Sequence, residues 1–591
     1  MTKRPSLELC LFLVLSVAGC HSSAKEPRST AGLLTIAEPA IPARRAAHFP
    51  EGWPYPAGKS AVVAPNGMIA SDEPLATAAG VEILERGGNA VDAAVAVGFA
   101  LAVTYQEAGN IGGGGYMVLR LADGRTTAID YREVAPLAAT RNMFLDSSGA
   151  LTDRSLDGPL ASGVPGSVAG LTTVLRAYGT MPLAQVMGPA IRLADKGFIV
   201  DSAFRRSVRT DSARIARFPI GASIFLPGGH APVVGSRFRQ PALARTMRLI
   251  ADRGADAFYR GEIADSIEAE MRRGGGIITR QDLDRYRPIW RTPIQSTYRG
   301  YTLFSMPPSS SGGVTVTETL NILEAWDSLP PVGSAQWAHI LGSAFQRAFI
   351  DRNSKIADPA FYPVPVRELT SKDYARRLRA TIADRATPTP ALERAMREGA
   401  QTTHYSVVDR FGNAVATTTT TNGLYGSGIL VRGGGFYLNN EMDDLSAQPG
   451  MANQFGLVQG EANAVAPGKR PLSAMSPTIV LDPSGGLLLV VGSRGGPRII
   501  TSTAQVILNV IEHRMSLADA MAAPRLHHQA LPDTLRYEPG GMSRSVRDSL
   551  AAMGHAVGEI DHVGLVNAVM RVPGGWEGVS DPRRPGGVKG Y

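Results

Sequence analysis

Cysteine is almost missing from this sequence of 591 residues: Cys10 and Cys20 are the only two, and both fall within the first twenty positions. A body without cysteine cannot build a disulfide framework, a thiolate nucleophile or a cysteine-ligated metal site. Long apolar runs are scarce too. Leu9–Ala18 is too short to cross a bilayer as a helix, and Val91–Val103 is short and contains Asp92, so it reads as a buried helix. Charge of one sign is not concentrated: the formal +8 comes mostly from scattered arginines, and the densest stretch, Arg205–Arg217, is broken by Asp211 and holds no aromatic. That pattern excludes a nucleic-acid partner. A G-x-S-x-G nucleophile elbow is absent. His527 and His528 are adjacent, point apart and lack ligand spacing, so no metal is expected. Ala57-Gly58-Lys59-Ser60 ends like a phosphate-binding loop, but Trp53 stands where its first glycine should be, and Gly112–Gly115 leads into a strand rather than a helix. No cofactor is expected.

What is present reads as an exported globular protein. Hydrophobic residues make up 44% and charged residues 19%, enough for a sizeable core. Lys3 and Arg4, the apolar run, and Val17-Ala18-Gly19-Cys20 form a lipoprotein-type signal over residues 1–20, with Cys20 as the lipidated residue. The other reading is an ordinary secretory signal that happens to hold a cysteine. The lipoprotein reading implies a periplasm-facing protein that meets the membrane only through its anchor, and His21 leans toward the outer membrane. Residues 21–60 are rich in Pro, Ala, Ser and Arg and read as a flexible tether.

The folded body begins at about 61. Helical spacing, a starting Pro74 and a Gly87-Gly88 stop predict a helix over 74–86, followed by another over 91–103. Asp123-Gly124 joins predicted strands 116–121 and 126–131. Helices are expected to dominate to about 380, at 166–177, 182–196, 241–252, 261–273, 314–326 and 336–350. Strands are expected at 405–409, 414–421, 477–482 and 487–492, then helices at 498–512 and 516–522. Separate blocks of helix and strand suggest sheets covered by helices in layers.

Gln401-Thr402-Thr403-His404-Tyr405-Ser406-Val407-Val408-Asp409 draws attention as a threonine-rich strand start after a polar stretch. Read alone it is only a strand edge. It is accompanied, in order, by Gly109-Asn110-Ile111-Gly112-Gly113-Gly114-Gly115, Asp130–Glu133, Pro307–Gly313, Leu438–Asp444, Lys469–Pro477 and Gly492-Ser493-Arg494-Gly495-Gly496. Together these segments resemble the gamma-glutamyltransferases, over roughly residues 61–591.

The resemblance implies an α+β fold, the four-layer αββα sandwich of N-terminal-nucleophile hydrolases, made from one self-cleaved precursor. A large chain (61–401) and a small catalytic chain (402–591) would stay associated after cleavage between Gln401 and Thr402. It implies Thr402 as nucleophile, with its freed α-amine as base; an amine of pKa near ~8 suits that role. Thr420 would orient the hydroxyl, and the N–H groups of Gly495 and Gly496 would form the oxyanion hole. The donor's α-carboxylate falls to Arg132 and Ser473, its α-ammonium to Asn422, Glu441 and Asp444. The substrate implied is glutathione or a related gamma-glutamyl amide, with water or an amino-acid or peptide amine as acceptor. Two departures stand out. Ala474 occupies a position that is serine in many relatives, and Phe455, in the lid-like segment Pro449–Gly460, replaces a tyrosine frequent in bacterial relatives. The alternatives are a glutaryl or cephalosporin-type acylase, whose acyl group has no ammonium for Asp444, and a catalytically silent, lipid-anchored binding homologue.

Overall fold

Alternating side chains along the strands separate the three largest of the five apolar clusters among the described residues. In β3 (Gly114–Arg120), Tyr116 and Val118 face one apolar cluster while Met117 and Leu119 face another, the period-two pattern of a strand buried on both faces. β2 (Met68–Ser71) repeats it, with Met68 and Ala70 on one side and Ile69 on the other. In β10 (Thr478–Leu481), Ile479 and Leu481 join the first cluster, whereas Val480 turns to a third. The shared cluster therefore lies between two sheets, and each sheet's outer face is covered by helices.

The computed structural model describes residues 44–55, 61–389, 402–584 and 586–591. All of these fall in one compact unit. Cys20 and Gln401 lie outside the described residues. Sheet one has seven strands in the order β14 (Gly587–Gly590), β2, β8 (Thr402–Val408), β9 (Ala414–Thr420), β3, β4 (Thr126–Asp130), β5 (Ile289–Arg291). Sheet two, also of seven, runs β1 (Val62–Ala64), β13 (Gly575–Ser580), β12 (Leu565–Val572), β11 (Leu487–Arg494), β10, β7 (Tyr301–Ser305), β6 (Ile294–Tyr298). Every pairing within the two sheets is antiparallel. Helices α1 (Pro74–Glu85), α2 (Ala90–Thr104) and α3 (Ser167–Tyr178) cover sheet one; α4 (Gly312–Glu324), α5 (Ala335–Lys355) and α6 (Arg498–Ile511) cover sheet two. The result is the expected αββα sandwich.

Every residue of α2 is buried, Asp92 included. Asp92 closes a capping box with Asn89 and accepts hydrogen bonds from the Thr180 N–H and hydroxyl and from the Met181 N–H. A buried carboxylate so satisfied is tolerated, which accounts for an apolar helix carrying one acid. Among the described residues, no helix is long and apolar enough to cross a membrane.

The structure departs from the sequence reading at four places. The expected helix 182–196 is two helices, Leu183–Val186 and Gly188–Lys196, because Pro189 can neither donate to the ladder nor avoid the carbonyl four residues back. The helix expected over 336–350 runs on to Lys355. The supposedly helical stretch before 380 contains β5, β6 and β7, so helices and strands are interleaved rather than blocked. Residues 44–55, read from composition as part of a tether, pack on the body: Trp53 Nε1 donates to the Ala522 carbonyl at 2.8 Å, and its ring lies under Arg583.

Candidate active site

Strand register brings the two key threonines together. Thr402 opens β8 and stands directly opposite Thr420, the last residue of β9. Its Oγ1 donates to Thr420 Oγ1 at 3.4 Å, and that oxygen also accepts the Asn422 N–H at 2.8 Å. Asn422 has φ +72°, a left-handed conformation that asparagine tolerates. Its amide donates to the Asn440 carbonyl at 2.9 Å. The glycine run explains itself here. Asn110 Nδ2 donates to the Thr420 carbonyl at 2.8 Å, and a Cβ on Gly113 would overlap that same oxygen. Beside Thr402, Asp72 accepts from the Thr403 hydroxyl at 2.9 Å and from Asn567 Nδ2 at 3.0 Å, tying β8 across to sheet two.

Gly495 and Gly496 join β11 to α6, with φ +126° and +58° that only glycine adopts readily. Among the described residues, neither N–H donates a hydrogen bond. They lie at the positive end of a 14-residue helix, a setting that favours negative charge. Gly496 lines the same cavity as Thr402; Gly495 lines the neighbouring cleft.

Charged side chains form the opposite wall. Arg132 follows β4 and is buried, with Nη1 at 2.5 Å from Glu441, Nη2 at 2.6 Å from Asp444, and Nε donating to the Pro471 carbonyl at 3.1 Å. Tyr286 donates to the Arg132 carbonyl at 2.9 Å. Glu133 lies 3.7 Å from the same guanidinium. Burial pushes the Glu441 and Glu133 carboxyls up, opposed by Arg132. Asp443, adjacent to Asp444, faces away toward Ser155 and the Gln454 N–H, and burial raises it to about 7.

Ser473 is set by the Pro307–Gly313 segment. Its carbonyl accepts from the N–H and hydroxyl of Ser311 at 2.8 and 2.6 Å, and its N–H donates to the Ser309 carbonyl at 3.1 Å. Its hydroxyl accepts the Met475 N–H at 3.1 Å, which leaves the hydroxyl proton to donate. Ala474, Phe455 and Leu457 make an apolar side to the cavity. Phe455 is tied in through Asn453, whose Nδ2 donates to Asp444 at 3.0 Å and whose Oδ1 accepts the Phe455 N–H at 3.0 Å.

Thr402, Thr420, Asn422, Arg132, Glu441, Asp444, Ser473, Phe455 and Gly496 thus line one cavity, with about 20 Å³ of free volume. Two roomier clefts, of about 510 and 690 Å³, lie outside it. The chemistry is concentrated in the smallest of the three, where charges fill the space. Among the described residues, no group of three His, Cys, Asp or Glu side chains is arranged to hold a metal. Sequence reasoning gave no role to Asp72, Asn110, Glu133 or Asn453. Asn110 and Glu133 lie inside quoted motifs and Asn453 inside the lid-like segment; Asp72 carries no local signal, because its partners Thr403 and Asn567 are far away in the chain.

A Gamma-glutamyltranspeptidase family model matches residues 76–591. The chain is 47% identical over 530 residues to a glutathione hydrolase proenzyme of Escherichia coli, covering 88% of this chain and 91% of that protein. It is 39% identical over 518 residues to an acylase ACY 1 proenzyme of a Pseudomonas species, covering 86% and 90% respectively. In three dimensions it is similar to a cephalosporin acylase from Bacillus halodurans, with TM-score 0.82 at 28% identity over 92% of this chain and 99% of that one. A match across nearly the whole folded body, converging on the cavity around Thr402, places the chain in the gamma-glutamyltranspeptidase family.

Proposed function

We propose that the precursor cuts itself between Gln401 and Thr402, and that the freed Thr402 moves gamma-glutamyl groups from glutathione and related amides to water or to an amino-acid or peptide amine. The observation that carries this reading is the facing of the Thr402 hydroxyl and the Arg132–Glu441–Asp444 cluster across one cavity. In maturation, Thr402 Oγ1 attacks the Gln401 carbonyl carbon, the peptide bond breaks and its nitrogen leaves as the Thr402 amine. Water then splits the resulting ester, giving a Gln401 carboxylate and a free Thr402 hydroxyl. The two pieces would stay together, since each sheet draws strands from both sides of the cut.

In turnover, the α-amine takes the hydroxyl proton as Oγ1 attacks the donor's γ-carbonyl. Negative charge develops on the carbonyl oxygen, toward the Gly495 and Gly496 N–H groups. The leaving amine takes the proton, and water or an acceptor amine resolves the ester. The Arg132 cluster suits a zwitterion. The donor's α-carboxylate can take the place of Asp444 and Glu441 on Arg132 while its α-ammonium takes the place of Arg132 on those carboxylates. The exchange is electroneutral, so neither buried sign is left unpaired.

Intact-mass analysis and hydrolysis of a gamma-glutamyl anilide, with and without glycylglycine, test this. The expected result is two chains, the smaller starting at Thr402, with turnover stimulated by the acceptor. An active single uncut chain would sink it. The apolar side formed by Phe455, Leu457 and Ala474 favours a second reading, hydrolysis of glutaryl amides. Preference for a glutaryl over a gamma-glutamyl anilide would establish it instead. We also propose export and anchoring through Cys20; loss of labelled palmitate incorporation in Cys20→Ser is the expected outcome.

A further inference from the structure

A planar trans peptide carries its C=O and N–H on opposite edges, so whatever holds one aims the other. The peptide joining Gly495 to Gly496 has its carbonyl engaged by Arg498, a residue that lines the neighbouring cleft and not the Thr402 cavity. That carbonyl accepts two hydrogen bonds from one residue, the backbone N–H of Arg498 at 3.2 Å and Arg498 Nε at 3.2 Å. Arg498 is itself steadied by Nη1 donating to the His562 carbonyl at 3.1 Å. The opposite edge of the same peptide is the Gly496 N–H, on the residue that lines the cavity.

We propose that Arg498 is a positioning residue for the oxyanion hole. Its guanidinium fixes the plane of the Gly495–Gly496 peptide and, by drawing electron density toward the carbonyl oxygen, makes the Gly496 N–H a stronger donor. The backbone contact alone would set an ordinary helix-start turn. The charged side chain adds polarisation that reinforces the helix N-terminus in the same direction. Both glycines have positive φ and no side chain to fix this peptide, so its orientation depends on hydrogen bonds, those from Arg498 to the Gly495 carbonyl and from the Ile499 N–H to the Gly496 carbonyl at 3.1 Å. Arg498 does not reach the cavity and touches no substrate; it acts through the peptide.

The proposal rests on the reading of Thr402 as nucleophile and Gly496 as oxyanion donor, so wild-type protein is measured first. It should hydrolyse the gamma-glutamyl anilide and be inhibited by a boronic acid carrying the glutamyl backbone, which forms an anionic tetrahedral adduct with a nucleophilic hydroxyl. Failure there removes the functional reading. Arg498→Met and Arg498→Lys are then compared with wild type. For Arg498→Met, kcat should fall about 10- to 100-fold, less than the about 10²–10³ typical of deleting an oxyanion donor outright. KM should stay within about twofold, and boronate affinity should weaken in step with kcat, the signature of an interaction made in the transition state. Arg498→Lys, which keeps a cationic donor, should recover part of both losses. An unchanged kcat, a fall in kcat without loss of boronate affinity, or a rise in KM matching the fall would each overturn the proposal. If both variants fail to fold, Arg498 belongs to the architecture and the proposal is equally overturned.

Discussion

The two walls of the cavity are built from different materials. On the Thr402 side the groups are neutral: two hydroxyls fixed by strand register, and backbone N–H groups at a helix start. On the Arg132 side they are charged side chains set on the segment after β4 and on a one-turn 3-10 helix, Glu441–Asp444, buried and paired with one another. Backbone positions cannot drift far without unzipping a sheet, which suits the placement of a nucleophile to a fraction of an ångström. Ion pairs can exchange partners without moving the backbone, which suits admitting and releasing a zwitterion. On the proposed function, reactivity would rest on the sheet and selectivity on the charged wall. The sharpest test is whether the two can be damaged separately.

The largest effect is expected on the neutral wall. Thr402→Ala should stay uncleaved, read by intact mass, and lose activity by about 10⁴-fold or more, as for a nucleophile acting together with its base. Thr402→Ser keeps an oxygen at the same point of the register and should retain part of both maturation and turnover. A cleaved, active Thr402→Ala would end the division of labour at once.

Next comes the charged wall. Asp444→Asn should raise KM for gamma-glutamyl donors about 10- to 150-fold, the worth of a charge-assisted hydrogen bond of about 1.5–3 kcal/mol. The same change should matter far less for glutaryl amides, which carry no ammonium, and maturation should proceed. Equal losses on both substrates would contradict the role of Asp444 and blur the two walls into one.

The walls also differ in how legible they were from the chain. Thr402 and Thr420 stand 18 residues apart along a β-hairpin: pattern put Thr420 in the strand 414–421 and Thr402 just ahead of the strand 405–409, and the resemblance set one beside the other. Arg132 and Asp444 are 312 residues apart, and no local propensity says that they touch. Only the family resemblance placed them together. The sandwich was likewise readable where strands are long and alternate cleanly. It was not at β1 and β5, each three residues long and paired wholly with distant strands, or at the β6–β7 hairpin, which lies in the stretch expected to be helical. Asp72 escaped notice for the same reason: it is a single polar residue whose partners, Thr403 and Asn567, lie far along the chain.

A smaller effect distinguishes two neighbours on the charged wall. Asp444 faces Arg132, whereas Asp443 faces Ser155 and the Gln454 N–H, with burial lifting it to about 7 from an ordinary 3.8. A carboxyl raised in the fold binds its proton more tightly there than in the unfolded chain. Its favourable contribution is therefore complete below about pH 4 and is lost as pH rises through about 7. The amide introduced by Asp443→Asn cannot ionise. The melting temperature of Asp443→Asn relative to wild type should thus improve between pH 5 and pH 8, by about 1–2 kcal/mol of stability once partial relaxation is allowed for. A difference that stays flat with pH would show that Asp443 titrates normally.

The smallest effect probes the one place where the charged wall turns apolar. Ala474 lines the cavity beside Ser473, but its methyl group packs with Phe455 and Leu457 rather than presenting a donor. Ser473 keeps a hydroxyl proton because its oxygen accepts from the Met475 N–H. If Ser473 and Arg132 hold the donor's α-carboxylate, Ala474→Ser adds a second hydroxyl to that carboxylate for the volume of one oxygen. A hydrogen bond to a charged group is worth up to about 1.5–3 kcal/mol. Two costs offset it: a hydroxyl moved into an apolar cluster loses its water, and a bridging water in the wild-type site would already do part of the work. The net expectation is a fall of about two- to fivefold in KM for a gamma-glutamyl donor, with kcat unchanged because the contact is equal in ground and transition states. A glutamine analogue lacking the α-carboxylate should show no gain. Unchanged or raised KM for the full donor would mean that this side of the cavity meets the apolar methylenes of the substrate instead. Selectivity would then reside in Arg132 and Asp444 alone.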